Sequence, residues 1–153
     1  MAALAAVLTA CGPDSTPPAA PQKAAAPAPP PAPANESRHL PKAGLVESHV
    51  VDRELLGKSF MPGGTLGHYK IGGKEFDMFI ARMPTAQDAA FLLPDWNKAL
   101  ANATLVPSFG GYFGDDGGRP VFVFPKGVWI AGVAGLPQKD ADLQARALAG
   151  MLN

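Results

Sequence analysis

The stretch PVFVFPKGVWIAGVAGL, residues 120–136, decides the fold of this chain. In residues 121–124 valines alternate with phenylalanines, which is the two-residue period of a β-strand. The Pro-Lys-Gly sequence at 125–127 favours a turn, and residues 128–136 are apolar again. Successive side chains of a strand point to opposite faces of a sheet, and here both sets are apolar. The stretch therefore predicts two neighbouring antiparallel strands that are apolar on both faces.

More strands are predicted on the N-terminal side of this stretch. Residues 107–114 read as a Gly-rich strand, and the Asp-Asp-Gly-Gly sequence at 115–118 reads as a hairpin turn leading into residue 120. Residues 65–71 and 75–82 have the pattern of another hairpin, joined through Gly-Gly-Lys. The chain thus contains two groups of strands.

Helices are predicted after each group of strands. Thr85 is placed to cap a helix, with Asp88 three residues later, and Trp96 falls at a core position of that helix. Pro94 should either kink this helix or begin a second short helix, because proline suits the first turn of a helix and not its interior. A final helix should run from Asp140 to about Met151. Its buried side would carry Ala141, Ala145, Leu148 and Leu152.

These elements predict an α+β domain, a two-layer sandwich in the order ββαβββα, with an antiparallel sheet of about five strands and two helices. Helices that share one face of such a sheet would leave the other apolar face uncovered. Either the leading segment, residues 40–60, covers that face, or it is a groove for a partner, a ligand or a second copy of the chain. The leading segment has loose helical spacing. The possible binding face consists of Phe122, Phe124, Trp129 and Val133.

Composition excludes several classes of function. The 153 residues carry 13 basic and 13 acidic side chains, without a basic stripe, so a nucleic-acid partner is not expected. No run of 18 apolar residues occurs, so no spanning helix is predicted. Ten of the 17 prolines precede Gly44, which places a low-complexity tract before the domain.

The only cysteine closes a short apolar run near the N-terminus. The residues Leu8-Thr9-Ala10-Cys11 resemble the lipobox of bacterial lipoproteins. The resemblance implies that residues 1–10 are a signal segment that is removed, and that Cys11 receives a diacylglycerol and further acylation as a membrane anchor. No Lys or Arg precedes the apolar run, unlike in most export signals, which suggests a translation start assigned too far downstream.

Residues 11–38 then form a lipidated cysteine and a Pro/Ala-rich linker, and residues 39–153 form the small domain. Proline favours extended backbone, so the linker is expected to be a semi-rigid spacer of up to roughly 80 Å. Gly12, where enteric lipoproteins retained at the inner membrane have Asp, points by the same resemblance to the periplasmic side of the outer membrane.

No catalytic residues, metal or cofactor are predicted. Gly-x-Ser-x-Gly, His-Glu-x-x-His and Walker-type motifs are absent from the sequence. His39 and His49 lack metal-ligand spacing, and Asp115 and Asp116 lack the further carboxylates of a calcium loop. His68, in a predicted strand, could meet a distant acid.

The sequence therefore favours a non-catalytic envelope lipoprotein, anchored to the membrane, whose domain binds an envelope protein partner, an apolar ligand or a second copy of itself. One alternative is an inhibitor of a cell-wall lytic enzyme. Ser108-Phe109-Gly110-Gly111-Tyr112 resembles the Ser-Gly-x-x-Tyr loop of lipoproteins that block lysozyme, except at its second position. The other alternative is a small envelope hydrolase.

Overall fold

The computed structural model describes residues 32–153. Its strands are β1 Leu45–Arg53, β2 Pro62–Ile71, β3 Lys74–Arg82, β4 Ala101–Val106, β5 Gly111–Asp116, β6 Arg119–Lys126 and β7 Trp129–Ala134. Its helices are α1 Ala86–Phe91, α2 Leu93–Ala99 and α3 Gln138–Met151, with 3-10 turns at Ser37–His39 and Leu55–Gly57.

The seven strands form one antiparallel sheet in the order β1-β2-β3-β7-β6-β5-β4. The first three strands form a meander. The chain then crosses through α1 and α2 to the far edge of the sheet, and β4 to β7 return strand by strand until β7 pairs with β3. The stretch 119–134 therefore supplies two inner strands, as its apolar pattern predicts.

The alternation in β6 divides the core into two clusters. Phe122 and Phe124 point to the face covered by α3, and Val121 and Val123 point to the face covered by Trp96 of α2. The α+β class and the antiparallel sheet are confirmed, but the two-layer arrangement is wrong. The helices lie on opposite faces, because a sheet that is apolar on both sides needs a cover on both.

The prediction of about five strands is also wrong, because β1 and β4 were missed. β1 is an edge strand whose residues 46–49 are all exposed, so it lacks the alternation that marks a half-buried strand. β4 lies at the other edge and carries a register shift between Ala101 and Thr104. Residues 107–110, predicted as strand, form the turn between β4 and β5, and β5 continues through Asp116.

The local predictions around α1 and α2 are confirmed. The Thr85 hydroxyl accepts the Asp88 backbone N–H at 3.1 Å and donates to the Asp88 carboxylate at 2.8 Å. Two short helices meet at Leu92, with Pro94 in the first turn of the second. Trp96 is fully buried.

Residues that precede β1 are tied to the sheet at three positions. Glu36 donates its backbone N–H to the Thr65 hydroxyl at 3.0 Å, and the Tyr69 hydroxyl donates to the Pro41 carbonyl oxygen at 2.8 Å. Leu40 is fully buried between them. Glu36, three residues before the predicted start of the domain, thus contacts the sheet.

Candidate binding surface

The predicted binding face is not exposed. Phe122, Phe124, Trp129 and Val133 are at most 2 % exposed and belong to the cluster packed under α3. Ala141, Ala145 and Leu148 of α3 lie in the same cluster, as the helix pattern predicts. The physical reason is the three-layer arrangement, in which α3 and Leu40 of the leading segment cover this face.

Trp129 has a particular environment within this face. The His39 ring packs against it at 4.9 Å between centroids, and the Arg82 guanidinium lies 5.8 Å from its ring centroid. Its indole N–H is buried and has no hydrogen-bond acceptor in residues 32–153. Trp129 therefore contributes packing at the cost of one unsatisfied donor.

The space beside two glycines of the sheet is filled by neighbouring protein groups and is not open to a ligand. A Cβ at Gly111 would collide with the Val123 carbonyl oxygen of the adjacent strand. A Cβ at Gly132 would collide with the Phe79 ring. At these two positions the missing side chain serves sheet packing.

One cleft does reach the aromatic core from the surface. It lies between the β4–β5 turn, the end of β6 and the last turns of α3, and has a volume of about 280 Å³. We refer to it as the Phe109 cleft. It is lined by Ser108, Phe109, Phe124, Pro125, Lys126 and Arg146.

The floor of the Phe109 cleft is aromatic. Phe109 is half-buried, and its ring lies 4.9 Å from that of Phe124 and 5.2 Å from that of Phe122, measured between centroids. Edge-on and tilted contacts of this kind fix ring orientation. Phe124 thus belongs to the cleft although only 1 % of its surface is exposed.

The rim of the Phe109 cleft is cationic. The Arg146 guanidinium lies 5.4 Å from the Phe109 ring centroid and is held by Asp142, one turn earlier on α3, at 2.8 Å. Lys126 is exposed and forms no ion pair within residues 32–153. An aromatic floor with a free ammonium beside it suits a carboxylate attached to an apolar group.

In the loop that resembles that of lysozyme inhibitors, the two end residues lie on opposite faces of the sheet. Ser108 lines the Phe109 cleft on the α3 side. Tyr112, the second residue of β5, packs with the cluster on the opposite face. Because the two side chains point to different faces, this loop does not present them together to one partner.

A second cluster of polar side chains lies at the end of the sheet away from the Phe109 cleft. Asp77 accepts a hydrogen bond from Arg119 at 2.5 Å and is bonded to Nδ1 of His68 at 2.8 Å. His68 therefore does meet an acid, its cross-strand neighbour. Ser108 lies before β5, whereas Arg119, which contacts Asp77, lies after it. The length of β5 therefore separates the Ser108 hydroxyl from the His68–Asp77 pair. The three side chains bond to one another and tie β2, β3 and β6 together.

The remaining predicted positions are placed as follows. His39 bonds the Met151 carbonyl oxygen at 3.0 Å, and His49 is exposed on β1. In residues 32–153 no group of three His, Cys, Asp or Glu side chains could hold a metal ion. No helix in that range is long and apolar enough to cross a membrane. Cys11 and the prolines up to residue 31 lie outside the described residues.

Sequence reasoning named Ser108, Phe109 and Phe124 but did not bring them together with Lys126 and Arg146. The cleft forms where the β4–β5 turn meets the end of α3, elements that are far apart in the sequence. One signal was present: Arg146 stands four residues after Asp142, a spacing that fixes the guanidinium on a helix surface.

Comparison with protein-family models, curated proteins and solved structures gives no match.

Proposed function

We propose that this chain is a non-catalytic lipoprotein of the bacterial envelope, anchored through Cys11, whose domain binds a protein partner through the Phe109 cleft. The partner group is a carboxylate next to an apolar side chain, at a chain terminus or on an exposed loop. The observation that carries the proposal is an aromatic floor beside the ammonium of Lys126, which forms no ion pair within residues 32–153.

The size of the cleft supports this ligand class. A volume of about 280 Å³ lies just below the roughly 300–1,000 Å³ typical of small-molecule pockets, so one or two side chains are a better match than a whole cofactor. Burying apolar atoms against Phe109 and Phe124 would supply affinity, and Lys126 would select for negative charge.

The lipobox residues and the Pro/Ala-rich stretch support the location. Cys11 follows Leu8-Thr9-Ala10, and the prolines between Cys11 and the domain favour an extended spacer. A domain held away from the membrane in this manner can contact partners at a distance from its anchor.

Photo-crosslinking in cells tests the proposal. A photoreactive amino acid replaces Ser108 at the cleft, or, in a matched control, the exposed Lys98 on α2 across the sheet. We expect a discrete protein adduct from position 108 that is absent from position 98 and is lost when Lys126→Glu is added. Equal adducts from both positions, or an adduct insensitive to Lys126→Glu, would overturn the assignment of the cleft.

A further inference from the structure

Among residues 32–153, nothing pairs with the outer side of β1, which is a free strand edge. β1 is the terminal strand of the sheet, and its one strand neighbour is β2. Residues 46–49 are exposed, and Val46 in particular is 61 % exposed. Apart from the ladder with β2, no backbone group of residues 32–153 bonds to residues 46–53. Such an edge offers a row of unpaired N–H and C=O groups to another strand.

The two edges of the sheet differ in how they are protected. β4 has only six residues, a register shift, and Asn102 in the left-handed backbone region at φ 53°. These features disfavour the addition of another strand. β1 has nine residues, and its stretch Glu47–Arg53 pairs with β2 without a shift and contains neither Lys nor Pro. The register shift of β1 lies before this stretch, between Leu45 and Glu47, so Glu47–Arg53 is protected only by its charged side chains.

The regular part of β1 is complementary to itself. Opposite residues of an antiparallel pair share a face, so a two-fold axis perpendicular to the sheet must pair residues of equal parity. With the axis at Val50, the midpoint of Glu47–Arg53, every residue of that stretch has a partner. Glu47 then faces Arg53 of the other copy, Ser48 faces Asp52, His49 faces Val51, and Val50 faces itself.

These pairings are chemically favourable. Glu47 and Arg53 are exposed and form no ion pair with other groups of residues 32–153, so both are free to pair between copies. The symmetry supplies that ion pair twice. Ser48 can donate a hydrogen bond to Asp52, and the central valines bring two β-branched side chains together.

We propose that two copies of this chain associate through β1, antiparallel and centred on Val50, to form one continuous sheet. The contact leaves the Phe109 cleft of each copy open, because that cleft lies between β6 and α3 on the far side of β3 and β7. The inference goes beyond the proposed function and does not depend on it.

Cysteine crosslinking tests the register. In the full chain carrying Cys11→Ser, Val50→Cys should form an intermolecular disulfide under mild oxidation, because Cα atoms of directly opposite residues are about 4.5–5.5 Å apart. Val46→Cys is the matched control, since residues 46 of the two copies would be roughly 26 Å apart at about 3.3 Å per residue. Crosslinking from position 46 but not from position 50 would overturn the proposed register.

Charge reversal tests the interface without oxidation. In sedimentation experiments on the full chain carrying Cys11→Ser, Glu47→Arg should raise the dimer Kd about tenfold or more, because two ion pairs become two repulsions. Adding Arg53→Glu should restore the wild-type Kd, and Lys139→Glu on α3 should leave it unchanged. A wild-type chain that stays monomeric up to about 1 mM, or a dimer that Glu47→Arg does not weaken, would overturn the proposal.

Discussion

The guanidinium of Arg146 lies 5.4 Å from the ring centroid of Phe109, which joins the last turns of α3 to the turn between β4 and β5. Asp142 holds Arg146 with two contacts, at 2.8 and 3.4 Å. The side chain is thereby positioned over the ring and serves as one wall of the Phe109 cleft. This contact places an accessible part of the aromatic core beside a cationic rim.

Trp129 should be a stability residue. It is 2 % exposed and lies in the cluster under α3, so Trp129→Ala removes a buried ring and should cost about 3–5 kcal/mol of unfolding free energy. Trp129→Phe should cost less, since it also removes an indole N–H that has no acceptor within residues 32–153.

Urea denaturation followed by circular dichroism measures these differences. Leu143→Ala is the control, because Leu143 is 64 % exposed and should change the unfolding free energy by less than about 0.5 kcal/mol. A Trp129→Ala protein as stable as this control would mean that the face is not covered in solution.

The sequence predicted the centre of the sheet better than its edges. Residues 121–124 are all apolar because both of their faces are buried, so the sequence itself marks them as an inner strand. Most side chains of residues 45–53 are exposed and the strand has one neighbouring strand among the described residues, so few of its positions must be apolar. The side of the sheet on which each helix packs could not be predicted, because it depends on how the connections cross the sheet.

Tyr69 should make stability depend on pH in alkaline solution. Burial raises the pKa of its hydroxyl well above the ordinary value of about 10. Below pH 10 both the folded and the unfolded chain keep the proton, so the stabilising contribution is complete. Above pH 10 the unfolded chain loses the proton while the folded chain retains it, and unfolding becomes more favourable.

Urea midpoints at pH 8 and pH 11 measure this effect against Tyr69→Phe, which cannot titrate. The wild type should lose about 1 kcal/mol more than the variant between the two pH values. Equal losses in the two proteins would show that Tyr69 ionises as readily in the folded chain as in the unfolded one.

Thr85 should stabilise the start of α1. Its hydroxyl accepts the Asp88 backbone N–H, so Thr85→Ala should lower the unfolding free energy by about 1 kcal/mol. Thr104→Ala serves as the control, because Thr104 is exposed on β4 and caps no helix. Thermal unfolding of the two variants side by side is sufficient, and a larger loss from Thr104→Ala would contradict the capping role.

Cys11 should carry the membrane anchor. Labelled palmitate fed to cells should be incorporated into the wild-type chain, and Cys11→Ala should abolish the label, since the sequence contains no other cysteine. The variant should also leave the membrane fraction. Label that persists in Cys11→Ala would exclude the lipoprotein assignment.

The most direct test of the central claim is the affinity of the full chain for the partner captured from position 108. Isothermal calorimetry should give a Kd that rises about tenfold in Lys126→Glu, because a charge that attracts the partner's carboxylate is replaced by one that repels it. Lys139→Glu on α3, outside the cleft, should leave the Kd unchanged. Equal affinities for the wild type and Lys126→Glu would contradict the claim that the Phe109 cleft is the binding site.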